Sequence, residues 1–291
     1  MLLVAGCLVF YATGSVNVMA LTSFLAMSGI CWAFYRFAAR RLALDDVVGA
    51  LPLVTVMAAT AGAVILIASN VNTAIIDIAG IRTGLATVGF IEESTKLLVP
   101  LTLLAFGRYA DPRAGIAIAL ASGFGFAIIE ATQYAYSEAT ASGPNQCGGE
   151  VSRPTVESVI RAQVYRIFLV EPMHWLWTGF AAAVAWRLWH LYSWPRAMCG
   201  RKGTPGAAGA ILLVMVVHSL NDSSAALGCD NASVAFLAQV FRWALVIAMY
   251  QLFKVAARKS TPPQLIGVVS KGWTPHRLRT YTRQRAFANE D

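Results

Sequence analysis

The stretch GFIEESTKLLVPL, residues 89–101, decides how this chain is to be read. It sits inside an apolar run long enough to cross a bilayer, yet it carries Glu92, Glu93 and Lys96 within five residues. Each such group costs roughly 2.5–3.5 kcal/mol at the centre of a membrane helix on insertion scales. On a helix, Glu92 and Lys96 are i,i+4 and Glu93 and Lys96 are i,i+3, so both carboxylates reach the one ammonium. One carboxylate is left over. In hydrocarbon it calls for a proton, a metal or another cation.

The surrounding sequence supports the membrane setting. Of 291 residues, 57% are hydrophobic and 13% charged, about half the charged share of a soluble domain. The fold expected is an all-α polytopic bundle of eight helices, at about 2–13, 17–36, 47–69, 79–107, 114–137, 165–190, 207–227 and 234–254; all but the first are long enough to span. Residues 1–254 form one membrane domain, and 255–291 a basic tail.

The net charge of +8 is placed in clusters: Arg36/Arg40/Arg41, Arg108/Arg113, Arg187/Arg196/Arg201/Lys202, and the segment from Lys254 onward. These recur after every second apolar run, which is the positive-inside pattern. An even number of helices then puts both termini in the cytoplasm of a bacterial cell membrane. Nucleic-acid binding is the other use of basic clusters, but no aromatic-interleaved soluble module accompanies them. The tail reads as a contact for anionic lipid.

Loop 138–164 and the turn GCDNAS, 228–233, fall outside. Each holds one cysteine, and the outer side is oxidising, so a Cys147–Cys229 disulfide is expected. Cys7, Cys31 and Cys199 show no metal-ligand spacing. Trp186, Trp189, Tyr192 and Trp194 read as an interfacial belt, Arg242 as a structural counter-ion and Glu171 as a cap or lining of the outer mouth.

Further intramembrane polar groups keep Glu92, Glu93 and Lys96 company. GFGFAIIEATQ brings Phe126 and Glu130, one turn apart, with Gly123 and Gly125 permitting close helix approach. EPMHWLWTGF brings His174, and VMVVHSLNDSS brings His218, Asn221 and Asp222. Counted from the outer boundary, Glu93, Glu130, His174 and His218 lie about 10–20 Å deep on four helices. Intramembrane ionisable residues are functional by default, and convergence at one depth strengthens that reading.

At these residues the chain resembles the PrsW-type intramembrane proteases, part of a larger group with the CAAX prenyl endopeptidases. The family pattern is EExxK, then FxxxE, then a His helix, then an HxxxN/D-type helix. Here these read Glu92-Glu93-Ser-Thr-Lys96, Phe126 to Glu130, His174, and His218 with Asn221-Asp222. The match runs from about residue 47 to 254 in the same helix order. Ala131 departs from it, where family members often carry Asn. The resemblance implies hydrolysis of peptide bonds in membrane-anchored proteins near the outer face, as relatives do to anti-sigma factors.

Peptide hydrolysis needs an activated water, an acid for the leaving amine and a stabilised oxyanion. Two routes fit the residues. Glu130, His174 and His218 ligate Zn²⁺, two histidines and a carboxylate being a known catalytic zinc set, with Glu93 as general base. Alternatively no metal binds, Glu93 activates water, and His174 with Asn221 polarises the carbonyl. Glu92, Glu93, Lys96, His174 and Asn221 are thus the catalytic candidates. HExxH, GxGD and GxSG motifs are missing from the sequence. A proton- or cation-coupled transporter is the competing class; the lack of a second EExxK helix counts against its usual two-fold repeat.

Overall fold

Long runs of Leu, Val, Ile and Ala leave the backbone no partner in lipid but itself, and the chain answers with helices. The computed structural model describes residues 1–45, 47–140, 143–144, 150–151, 154–193, 203–227 and 231–260. Eight helical rods are present among them. They are α1 (Leu2–Thr13), α2 (Val16–Leu42), α3 (Ala50–Ala79), α4 (Ile81–Ala105) and α5 (Pro112–Thr140). After these come α6 (Val156–Tyr165, Arg166–Val170 and Glu171–Ser193 in one run), α7 (Thr204–Leu227) and α8 (Ala232–Lys259). A two-residue antiparallel ladder pairs Gly143–Pro144 with Glu150–Val151.

The all-α bundle expected from the sequence is therefore found, and six of its rods are long and apolar enough to cross a membrane. α4 is the informative exception. It has 25 residues, but its three central charges and Arg82 keep it out of that set. α1 has 12 residues, short of a span, and lies against α2.

Several rods outrun the boundaries read from sequence. α3 continues to Ala79 because polar Asn70, Asn72 and Thr73 do not interrupt a helix; their side chains return to its own carbonyls or, for Asn72, reach Glu92 on α4. Gly80, at φ 82°, makes the break before α4. α6 starts at Val156, inside the expected loop 138–164, where Thr155 caps it by accepting from the Ser158 N–H. Two π turns interrupt the rods, Val64–Ala68 in α3 and Arg166–Val170 in α6. Such single-turn widenings often occur at functional sites.

α5 is the central post, with 94% of its apolar span buried. It packs on α2, α3 and α6, while α4 packs on α7. Small residues allow the close crossings: a Cβ on Gly123 would stand 2.6 Å from Trp175 Cα of α6, and one on Gly125 2.2 Å from the Met57 carbonyl oxygen of α3. Gly89 does the same for α4 and α7. A Cβ there would stand 2.2 Å from the Met215 carbonyl oxygen, a backbone atom that cannot rotate away. Gly89→Ala is expected to destabilise by ~1–3 kcal/mol through separation of α4 and α7. Thermal unfolding in detergent checks this, and an unchanged midpoint would mean that the crossing yields freely.

Pro100 shapes α4 beside its charges. Proline has no N–H, so the carbonyl four residues back, that of Lys96, loses its helical partner. Ser122 of α5 supplies it, donating to Lys96 O at 2.5 Å, and Thr60 of α3 lies 2.9 Å from Ser122 Oγ. One missing donor in the sequence thus ties three helices together at the level of Lys96.

Two expectations need correction. Trp186 is not part of an interfacial belt: it is 2% exposed, packed among Ala119, Ala182 and Ala207, with its indole donating to Tyr109 O at 3.0 Å. Arg242, expected as a counter-ion, has no carboxylate partner among the described residues. Its partners are neutral: Ser224 Oγ at 3.2 Å, Tyr165 Oη at 3.2 Å and the Asn221 carbonyl at 3.1 Å. Cys147, Cys229, Cys199 and residues 261–291 lie outside the described residues. Cys7 and Cys31 are free thiols.

Candidate active site

Four helices bring Glu92, Glu93, Lys96, Glu130, His174, His218 and Asn221 together, all buried. Lys96 is the junction. Its ammonium donates to Glu93 Oε1, lies 2.8 Å from His174 Nδ1 and sits 4.3 Å from the centroid of the Phe126 ring. Phe126, the first residue of the FxxxE pair, also faces the His174 ring at 4.8 Å. A single aromatic side chain thus orients both the cation and the imidazole.

Glu93 has both oxygens engaged. Oε1 takes Lys96 and lies 2.9 Å from His218 Nδ1, and Oε2 accepts from Thr178 Oγ1 at 3.3 Å. It stands behind the cavity wall rather than in it. Glu92 and Glu130 do line the cavity. Glu92 accepts from Asn72 at Oε1 (3.1 Å), and its Oε2 lies 3.5 Å from His218 Nε2. Glu130 Oε2 lies 2.6 Å from His174 Nε2, while its Oε1 is 3.3 Å from Arg166 Nη2.

The cavity has a volume of about 370 Å³, within the range of small-molecule sites. Its walls come from the C-terminal ends of α3, α5 and α7 and the N-terminal ends of α4, α6 and α8. That is the end of the bundle opposite the basic clusters. His218 is stacked on Trp177, ring centroids 4.2 Å apart, which fixes the plane of its ring.

Glu92 Oε2, Glu130 Oε2 and His174 Nε2, all on residues that line the cavity, have no hydrogen-bond partner among the described residues. The last two are only 2.6 Å apart, yet their directions do not make a hydrogen bond. Buried polar atoms are normally paired, so this set has the character of ligand atoms aimed at a shared third partner. Two triads have ligand atoms within 4.8 Å of one another: Glu92–His174–His218 and Glu130–Glu171–His174. His174 belongs to both. The set read from sequence, Glu130 with His174 and His218, draws one carboxylate from the second triad and one histidine from the first.

Sequence reading missed Arg166, and it placed Glu171 only as a cap or mouth residue. Arg166 bridges Glu130 and Glu171 at 3.3 Å each, with its guanidinium 3.4 Å from the centroid of Tyr134. Glu171 is fully buried, 3.8 Å from His174 Nε2. An arginine inside an apolar run is the same signal that flagged Lys96. With α6 expected to begin at 165, Arg166 falls at the edge of the expected span. Asp222 rather than Asn221 reaches His218, at 3.4 Å from Nε2; Asn221 donates to Asp222 at 2.8 Å.

A helical membrane bundle with a buried carboxylate–imidazole centre holds the acid–base groups that membrane-embedded hydrolysis requires. The family model for the PrsW family intramembrane metalloproteases matches residues 43–252, and the chain belongs to this family. It is an intramembrane peptidase and an integral membrane protein. The searches of curated proteins and of solved structures found no match.

Proposed function

We propose that this peptidase hydrolyses peptide bonds of membrane-anchored proteins close to the outer face, with anti-sigma factors as one substrate class. The observation that carries the reading is the convergence of unpartnered Glu92 Oε2, Glu130 Oε2 and His174 Nε2 on one cavity. The basic clusters support the orientation in this reading: both termini cytoplasmic, in a bacterial cell membrane, with the cavity mouth outside.

The donor set fits a divalent metal. Glu92, His174 and His218 are the residues that would hold it, two imidazoles and a carboxylate suiting zinc. A zinc ion there supplies Lewis-acid activation of water and of the scissile carbonyl. Glu130, held by Arg166 at Oε1 and lining the same cavity with Oε2 beside His174, would take the proton from water. Glu93 serves one layer back. It accepts from His218 Nδ1–H, which presents Nε2 to the cavity in the way carboxylates orient ligand histidines. This moves the general base from Glu93, whose oxygens are both engaged, to Glu130.

One contact favours the metal-free route. An ammonium only donates, so a charged Lys96 makes His174 Nδ1 the acceptor and leaves the hydrogen on Nε2. In that tautomer Nε2 polarises a substrate carbonyl and is no ligand. A neutral Lys96 reverses the contact, accepting from Nδ1–H and freeing the Nε2 lone pair.

The test compares protein N-termini across membranes from cells expressing the wild type, Glu92→Gln or Glu130→Gln. New N-termini near the outer ends of single spans, absent in both variants, are expected. Identical profiles from three well-folded proteins would sink the protease assignment of this site. Metal analysis of the purified wild type separates the routes. About one equivalent of zinc, lost in Glu92→Gln, supports ligation; full activity without bound metal removes it.

A further inference from the structure

A second cavity, of about 370 Å³, lies between α2, α3 and α5 on the side away from the carboxylate–imidazole centre. Its deep wall is apolar: Cys31, Leu53, Met57 and Phe124. Its rim, at the turn joining α2 to α3, carries Arg36 and Asp45 side by side at 3.2 Å, both half exposed. Between rim and wall stands Tyr35. The residue is 7% exposed and lines the cavity, and its hydroxyl has no hydrogen-bond partner among the described residues. Hydroxyls buried in hydrocarbon do not stay unpaired without cost, because no water reaches them.

The cavity is thus amphipathic along the membrane normal, charged at the boundary and apolar within. The surrounding medium offers one molecule with that profile, a phospholipid. The rim specifies which kind. Arg36 and Asp45 together carry no net charge, so a purely anionic headgroup would meet Asp45 unfavourably. A headgroup with a phosphate and a primary ammonium meets both: phosphate on the Arg36 fork, ammonium on the Asp45 carboxylate. The Tyr35 hydroxyl then donates to a phosphate or ester oxygen, and one acyl chain runs along Leu53, Met57 and Phe124.

We infer that the α2–α3 cavity is a binding site for one zwitterionic phospholipid with a primary ammonium, of the phosphatidylethanolamine type. The site packs against α3 and α5. Gly125 meets the Met57 backbone there, so an occupied cavity fixes the crossing that also aligns Thr60 with Ser122. The proposal does not depend on the chemistry of the Glu/His centre.

The experiment is native mass spectrometry of the full chain released from micelles holding equal amounts of phosphatidylethanolamine, phosphatidylglycerol and phosphatidylcholine. One adduct of phosphatidylethanolamine mass is expected to survive, at least fivefold over phosphatidylcholine, whose trimethylated ammonium has no hydrogen for Asp45. Asp45→Asn and Tyr35→Phe, which keep side-chain shape, are expected to lower that adduct severalfold. The wild-type selectivity stands as a test even where a variant misfolds. Three lipids in equal amounts on the wild type would overturn the proposal, as would an adduct unaffected by both substitutions or a chain that flies lipid-free.

Discussion

His174→Ala is expected to lower peptide hydrolysis by roughly 10²–10⁴-fold, the range for losing a positioned acid–base group, while the chain stays monodisperse in detergent. No other residue joins as many elements of the site. Its Nδ1 lies 2.8 Å from Lys96, its Nε2 lies 2.6 Å from Glu130, and it is the one member common to both triads of candidate ligands. It is needed in either chemical route, as a ligand or as a carbonyl-polarising donor. The imidazole is also the link between two charge groups, Lys96–Glu93 on one side and Arg166–Glu130–Glu171 on the other. Turnover of a single-span reporter in liposomes measures the effect. A loss below about tenfold in a folded protein would mean that water is activated elsewhere, since even a modest acid–base contribution exceeds that. His174→Gln adds a control: it restores a hydrogen-bonding side chain to Lys96 without an imidazole, so it should recover stability but little turnover.

The sequence made the site legible to different degrees, for reasons that differ residue by residue. Glu92, Glu93 and Lys96 were visible because charge within an apolar run is rare and costly, although the same charges hide α4 from a hydropathy criterion. Counting 1.5 Å per residue from the helix ends brought Glu130, His174 and His218 to one depth, which the structure bears out as contact. What depth does not give is rotation. Asn221 and Asp222 differ by one residue, about 100° around a helix, and only Asp222 points at His218. Nor does periodicity foresee a π turn. The one at Arg166–Val170 shifts the helical face and carries Arg166 inward to Glu130. Trp186 shows a third limit, because an aromatic near a helix end has the same sequence signature whether it meets lipid headgroups or an alanine-lined core.

Lys96→Met is expected to destabilise the fold by roughly 3–5 kcal/mol, the cost of leaving one member of a buried ion pair without its partner. Glu93 is fully buried, and once Lys96 is removed its carboxylate keeps only His218 Nδ1 and Thr178. Adding Glu93→Gln removes the second charge while preserving an oxygen for His218 to donate to. The double variant should therefore recover most of the stability lost by Lys96→Met, a coupling at the upper end of the 0.5–3 kcal/mol or so seen between contacting residues. Activity should not return with it. Without the Lys96 amine, His174 Nδ1 loses the partner that sets its tautomer, and without a charged Glu93 the His218 ring loses the carboxylate that orients it. Unfolding in mixed micelles and turnover in liposomes, run on all four members of the cycle, separate these effects. Stability without turnover in the double variant would make the pair part of the chemistry. Turnover restored along with stability would reduce Lys96 and Glu93 to a packing device, and would leave catalysis to Glu92, Glu130 and the two histidines alone.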